Sequence, residues 1–129
     1  MVVPIPVEVD GVAKQVVDAA YRVHRAMGPG LLESVYEACM CCELSRRNLT
    51  FEKQLDVPIV YEGVRLESGL RLDLLVAGHV VVELKSIEQL LPIHEAQLLT
   101  YLKLTGKRLG LLINFNTTLI KDGIKRIAL

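Results

Sequence analysis

The chain moves between two hydrophobic rhythms. After Asp10, placed to cap a helix, Val12, Val16, Ala19, Ala20, Val23 and Met27 recur at helical spacing until Gly28-Pro29-Gly30 ends the run. A second helix is predicted from Leu31 or Leu32 to Arg47, with Leu32, Val35, Cys39 and Cys42 along one side. At Phe51 the period changes to two. Phe51, Leu55, Val57, Ile59 and Tyr61 then share one face of a strand, and Glu62-Gly63 turns the chain into the next. Two apolar strands follow, Leu70–Val76 and Val80–Lys85, separated by Ala77-Gly78-His79. Pro92 suits the first turn of a third helix that stops before Gly106. Arg108–Phe115 reads as a buried strand, and Asp122-Gly123 as a turn into a last short strand or hairpin.

A helix between the third strand and Arg108–Phe115 makes a crossover that can lay that strand parallel to a neighbour. The prediction is one α/β domain over residues 1–129, ordered α-α-β-β-β-α-β, with a mixed sheet of four to five strands flanked by helices.

The polar residues inside the central hairpin do not fit a plain core. In Leu70–Val76, the residues Leu70, Leu72, Leu74 and Val76 alternate onto one face, and Asp73 falls on the other between Arg71 and Leu75. In Val80–Lys85, Glu83 and Lys85 point away from Val80, Val82 and Leu84. Burying a charge costs several kcal/mol unless it is paired or bound to a metal. A two-residue turn would set Asp73 opposite Leu84. A three-residue loop, Ala77-Gly78-His79, sets Asp73 opposite Glu83 and Arg71 opposite Lys85, and collects Leu72, Leu74, Val76, Val80, Val82 and Leu84 on one apolar face. The apolar pattern therefore predicts the odd loop and neighbouring carboxylates. Such a pair raises one pKa unless a divalent cation lies between the two. The competing reading is a salt-bridge cluster, Asp73 with Arg71 and Glu83 with Lys85. Three charged residues at this spacing, each inside an apolar strand, favour chemistry over it.

Charge and composition narrow the classes of function. Fifteen Lys and Arg balance fifteen Asp and Glu, which excludes a strongly basic DNA-coating protein. A hydrophobic share of 51% excludes an acidic disordered tail and fits a sheet covered on both faces, an oligomer interface, or both. Residues 96–129 hold six bases (Lys103, Lys107, Arg108, Lys121, Lys125, Arg126) against the single acid Asp122, so one basic face could form on a neutral chain. No apolar run reaches the ~18 residues of a membrane span. Met1–Pro6 has neither a basic region nor a long apolar stretch, so no signal peptide is expected. Cys39, Cys41 and Cys42 are an odd cluster without a fourth zinc ligand. They read as small buried hydrophobes, and the expected compartment is a reducing cytoplasm.

Asp73 followed ten residues later by Glu83-Leu84-Lys85 resembles the Asp…Glu-x-Lys signature of the PD-(D/E)XK nuclease superfamily. Gly30-Leu31-Leu32-Glu33-Ser34-Val35-Tyr36 resembles the defining motif of the GxxExxY family within it, and Gln97-Leu98-Leu99-Thr100-Tyr101 resembles the Q-x-x-x-Y motif of RecB-type nucleases. With the stretches Tyr21–Gly30 and Gly110–Arg126, the likeness covers nearly the whole chain.

The resemblance implies a restriction-endonuclease-like core and a Mg²⁺- or Mn²⁺-dependent phosphodiesterase acting on nucleic acid, DNA before RNA. It implies that Asp73 and Glu83 hold the metal, with the Leu84 carbonyl a further ligand and Glu33 an added carboxylate, directly or through water. Lys85 would orient or activate the attacking water, and Gln97 and Tyr101 would touch substrate or brace the site. Bottom-up geometry agrees with the last point: Gln97 and Tyr101 are i and i+4 on one helix face, with His94 on the same side. Each helper also has a plainer role open to it. Glu33 suits a helix first turn, Tyr36 and Tyr101 suit the core with hydrogen-bonded tips, and His94 suits the surface. The alternative function is a catalytically silent nuclease-like domain used for binding or assembly. A homo-oligomer is expected from the apolar surplus.

Overall fold

Pro6, not Asp10, stands at the start of the first helix. The computed structural model describes residues 3–129, the side chain of Ser68 excepted. Met1 and Val2, part of the Met1–Pro6 stretch, therefore lie outside the described residues. The elements are α1 (Val7–Met27), α2 (Glu33–Arg46), β1 (Phe51–Tyr61), β2 (Val64–Val76), β3 (Val80–Lys85), α3 (Pro92–Thr105), β4 (Leu109–Asn114), a 3₁₀ turn (Ile120–Gly123) and β5 (Ile124–Ala128). Asp10 lies in the first turn of α1, where an acid complements the helix dipole. Its carboxylate is held by Lys14 and Arg126 instead of capping.

The five strands are ordered β1-β2-β3-β4-β5. All neighbours are antiparallel except β3 and β4, whose parallel pairing runs from Val80↔Leu109 to Lys85↔Asn114. The α3 crossover makes that pairing possible. The fold is thus α/β with a mixed sheet, as the hydrophobic pattern predicts. No helix among the described residues is long and apolar enough to cross a membrane.

Helices cover both faces of the sheet. One core lies under α1 and α2 and includes Val16, Tyr36, Met40, Leu74, Val76, Val80, Val82, Leu84, Leu111 and Phe115. The other lies under α3 and includes Leu70, Leu72, Leu75, Val81, Leu98, Leu102 and Leu112. The second explains how α3 seats so closely: Leu98 packs onto Gly110, where a Cβ would come 3.0 Å from the leucine's Cγ and Cδ1.

Two expectations about faces are corrected here. Leu70 and Leu72 do not share the face of Leu74 and Val76; they belong to the α3 side. Likewise Phe51 packs on the α1–α2 side, whereas Leu55, Val57 and Ile59 pack on the α3 side, and Tyr61 is exposed. The cause is local. Gln54 has φ +48, a left-handed backbone inside a strand, and the β1–β2 pairing skips from Lys53↔Leu74 to Leu55↔Leu72. The irregularity turns both strands over, with Asp73 at its centre.

The buried side of α2 also differs from the expected one. Tyr36, Met40, Glu43 and Leu44 point inward, while Leu32 and Cys42 are exposed and Cys39 and Cys41 are half-buried. Tyr36 draws this face in by stacking on Phe115, with ring centroids 4.5 Å apart and planes 7° from parallel. Buried Glu43 is compensated by Arg22, Arg46 and Arg47 at 3.4, 3.8 and 3.5 Å.

Candidate functional site

The hairpin loop decides what meets at the centre of the sheet. Val76 pairs with Val80, so Ala77-Gly78-His79 form the three-residue loop expected from the pattern, with Ala77 and Gly78 at φ +52 and +69. The register runs through Leu75↔Val81 to Leu74↔Val82, and there the ladder stops. One step further on, side chains replace backbone as partners. The Asp73 N–H donates to Glu83 Oε1 at 3.2 Å, and the Leu84 N–H donates to Asp73 Oδ2 at 2.8 Å. Each carboxylate thereby closes a backbone group that the ladder leaves open, and the two acids are locked side by side.

This pair is electrostatically unbalanced. Glu83 is buried, and burial together with the neighbouring Asp73 carboxylate raises its pKa from 4.5 to about 8. The Asp73 N–H and the Lys85 ammonium pull it the other way without prevailing. The salt-bridge alternative is not what forms. Arg71 pairs with Asp56 across β1 at 3.0 Å, and among the described residues Lys85 has no ion-pair partner. The expected Arg71–Lys85 juxtaposition is also absent from the ladder, because β2 and β3 pair only up to Leu74↔Val82.

Helix α3 supplies the wall over the acids. Burial and then the charges of Glu83 and Asp73 push the Tyr101 phenol up, so it stays a neutral hydrogen-bond donor beside them. Gln97 lies one turn before Tyr101 on α3 and is exposed. His94 serves its own helix: its Nδ1 accepts the Leu91 N–H at 2.9 Å, closing the start of α3. That bond leaves the ring proton of the neutral tautomer on Nε2. His94, Ile87, Glu88, Gln89 and Leu91 line a cavity of about 430 Å³ beside the end of β3.

The residues of the Gly30-to-Tyr36 stretch divide between two jobs. Tyr36 is fully buried, and its hydroxyl donates to the Gly28 carbonyl at 2.6 Å and accepts the Leu31 N–H at 3.1 Å. It braces the Gly28-Pro29-Gly30 loop and touches no open surface. Glu33 is the exposed first residue of α2. Two residues before it, the Leu31 carbonyl accepts the Ser86 hydroxyl, directly after Lys85. Among the described residues no three His, Cys, Asp or Glu side chains gather as a metal cage. The structure therefore joins Asp73 to Glu83 and does not gather Glu33 with them. The Leu84 side chain is in the core, and its N–H is engaged by Asp73, so its carbonyl is the group left to offer.

Neighbouring carboxylates and a lysine two residues on thus sit on a strand–crossover–strand scaffold. Residues 10–127 match the PD-(D/E)XK nuclease superfamily. The chain belongs to that superfamily. No curated protein and no solved structure matches it. The match spans Asp73, Glu83 and Lys85, which lie on the two strands whose ladder stops at Leu74↔Val82.

Sequence reasoning overlooked two residues that frame the acids. Gln54, at positive φ, sits between Lys53 and Leu55, whose partners Leu74 and Leu72 flank Asp73; its amide also reaches the Glu37 carboxylate on α2 at 3.2 Å. Asn114, buried at the end of β4 beside Lys85, holds the segment after β3 in place. Its Oδ1 accepts the Ile87 and Asn116 N–H groups at 3.1 and 3.2 Å, and its Nδ2 donates to the Ile87 carbonyl at 3.0 Å. An asparagine ending an apolar strand was the available signal; nothing in the sequence marks a glutamine for positive φ.

Proposed function

We propose that the chain is a divalent-metal-dependent nuclease that hydrolyses phosphodiester bonds of nucleic acid, DNA in preference to RNA, and that it is of the GxxExxY type. The observation that carries this reading is the reciprocal lock between Asp73 and Glu83 with Lys85 free beside it. A purely structural pair gains nothing from a buried acid held near pKa 8. A pair that receives a cation does, because the charge that burial disfavours is then compensated.

The donor set fits a hard cation: two oxygen-only side chains, each using one oxygen on a backbone N–H and keeping the other, with the Leu84 carbonyl between them in sequence. Bound there, Mg²⁺ or Mn²⁺ would offset phosphodiester charge and make water acidic enough to attack. Asp73 and Glu83 would hold it, and Glu33 would add a carboxylate, directly or through water. Lys85 presents its ammonium to the non-bridging oxygens of the scissile phosphate and orients the incoming water. The Tyr101 hydroxyl and the Gln97 amide donate to the same phosphate or its neighbour from α3. Tyr36, His94 and Asn114 position the loops that carry these groups. The exposed apolar residues of the β1–β2 hairpin, Val60, Tyr61, Val64 and Leu66, support the expected homo-oligomer.

The test is cleavage of labelled single- and double-stranded DNA and RNA with Mg²⁺ or Mn²⁺, beside Lys85→Ala and a chelator control. Metal-dependent cutting that disappears in Lys85→Ala is the expected result. A folded protein that cuts nothing, or a Lys85→Ala variant that cuts equally well, contradicts the proposal and leaves a silent binding domain.

A further inference from the structure

The nuclease site needs a way to grip a polyanion, yet the chain is neutral overall. Its surplus of positive charge is confined to residues 96–129, and the structure shows where part of it goes. The segment after β4 leaves the same end of the sheet as Lys85, since Lys85 and Asn114 are paired in register. That segment folds back over the C-terminal turns of α1. There Tyr21, His24 and Arg25 face Thr118, Leu119, Ile120 and Lys121 around a cavity of about 190 Å³.

The lining has the chemistry of an anion site. It contains two permanent cations, Arg25 and Lys121, two hydroxyls, Tyr21 and Thr118, and no acid. Among the described residues neither Arg25 nor Lys121 has an ion-pair or side-chain hydrogen-bond partner, although most other arginines of the chain do. The cavity is also built, not incidental. Buried His24 uses Nε2 to donate to the Thr117 carbonyl at 2.9 Å, tying α1 to the segment. Thr117 in turn donates its hydroxyl to the Asn114 carbonyl at 3.4 Å, and Asn114 pins Ile87 just beyond Lys85. This chain of contacts ties the segment that leads to Lys121 to α1 and to the loop after Lys85.

We propose that Arg25 and Lys121, with the Tyr21 and Thr118 hydroxyls, form a second phosphate-binding pocket. It holds a substrate phosphate away from the scissile one, on the α1 side of the sheet. The proposal rests on the nuclease reading and adds the direction of the substrate, which passes over the end of the sheet from α3 toward α1. The shared chemistry is a phosphate group. It belongs either to the continuing backbone or to a strand's terminal phosphate.

The experiment measures binding without divalent metal, so that it does not depend on cleavage. Affinity for 5′-phosphorylated and 5′-hydroxyl oligonucleotides is followed against salt for wild type and an Arg25→Gln, Lys121→Gln double variant. In parallel, backbone amide shifts are recorded on titration with inorganic phosphate at low salt. The expected result is at least a tenfold loss of oligonucleotide affinity in the double variant, with the slope of log K against log salt reduced by about 1 to 2. Phosphate shifts at Arg25, Thr118 and Lys121 should vanish in the variant. Equal loss for both oligonucleotides assigns the pocket to backbone phosphate, and loss confined to the phosphorylated one to a terminal phosphate. Unchanged affinity and slope, with no phosphate shifts at these residues, overturns the proposal. Phosphate binding in wild type that the variant loses, without affinity for any nucleic acid, upholds the pocket and contradicts the nuclease reading instead.

Discussion

Glu83→Gln is expected to stabilise the metal-free protein at neutral pH, although it removes a signature residue. In the folded chain this carboxyl releases its proton near pH 8, and in the unfolded chain near 4.5. Between those values the folded state holds more protons, so raising the pH favours unfolding. The penalty begins near pH 4.5, grows through the window and is complete above pH 8. At pH 7 it spans about two and a half pH units at ~1.36 kcal/mol each, or about 3 kcal/mol. Glutamine keeps the shape and an oxygen to accept the Asp73 N–H, but carries no proton to lose. Urea denaturation of wild type and variant at pH 5, 7 and 8.5, in chelator, reads the difference as a midpoint shift. Wild type should lose stability from pH 5 to 8.5, the variant should stay nearly level, and the variant should be the more stable at pH 7. A wild type level across that range, or a variant weaker than wild type at pH 7, would refute the account of Glu83.

Four further substitutions probe the scaffold. Tyr36→Phe removes the hydroxyl that joins the Gly28 carbonyl to the Leu31 N–H, and a loss of about 1 to 2 kcal/mol is expected by thermal unfolding. Gly123→Ala places a Cβ against the Asn114 carbonyl oxygen, which is backbone and cannot yield, whereas Gly78→Ala meets no atom within 4 Å and carries only the strain of φ +69. The first should cost more than about 3 kcal/mol or prevent folding and the second about 1, as compared by denaturant midpoints. Asn114→Ala leaves the Ile87 and Asn116 N–H groups without their acceptor. It should lower kcat at least tenfold while the protein remains folded, because the loop after Lys85 loses its support.

Much of the hairpin was readable from residue patterns because burial enforces them. The alternation in Leu70–Val76 and Val80–Lys85 has only one loop length that collects most of the apolar side chains. That loop also places Asp73 beside Glu83, as the structure confirms. The Gly106 stop, the Pro92 start and the parallel β3–β4 pair follow from the same local chemistry. The inversion at Gln54 was illegible, since a positive φ is not a preference of glutamine and nothing in the residue pattern marks it. The buried face of α2 was misplaced for a related reason. Tyr36 is drawn inward by Phe115 and by loop carbonyl and amide partners that periodicity does not weigh. His94 belonged to the expected site set, and its ring also closes the start of α3, a role visible only once Leu91 is placed.

In the proposed nuclease, Asp73 and Glu83 form a cation site held ready by an uncompensated acid. Calorimetry of Mn²⁺ binding at pH 7, repeated in buffers of different ionisation enthalpy, tests it most directly. The prediction is one bound ion with release of close to one proton, because Glu83 must give up the proton it keeps in the metal-free state. Both signals should vanish in an Asp73→Asn, Glu83→Gln double variant. Equal binding by that variant, or binding by wild type with no proton released, would contradict the claim.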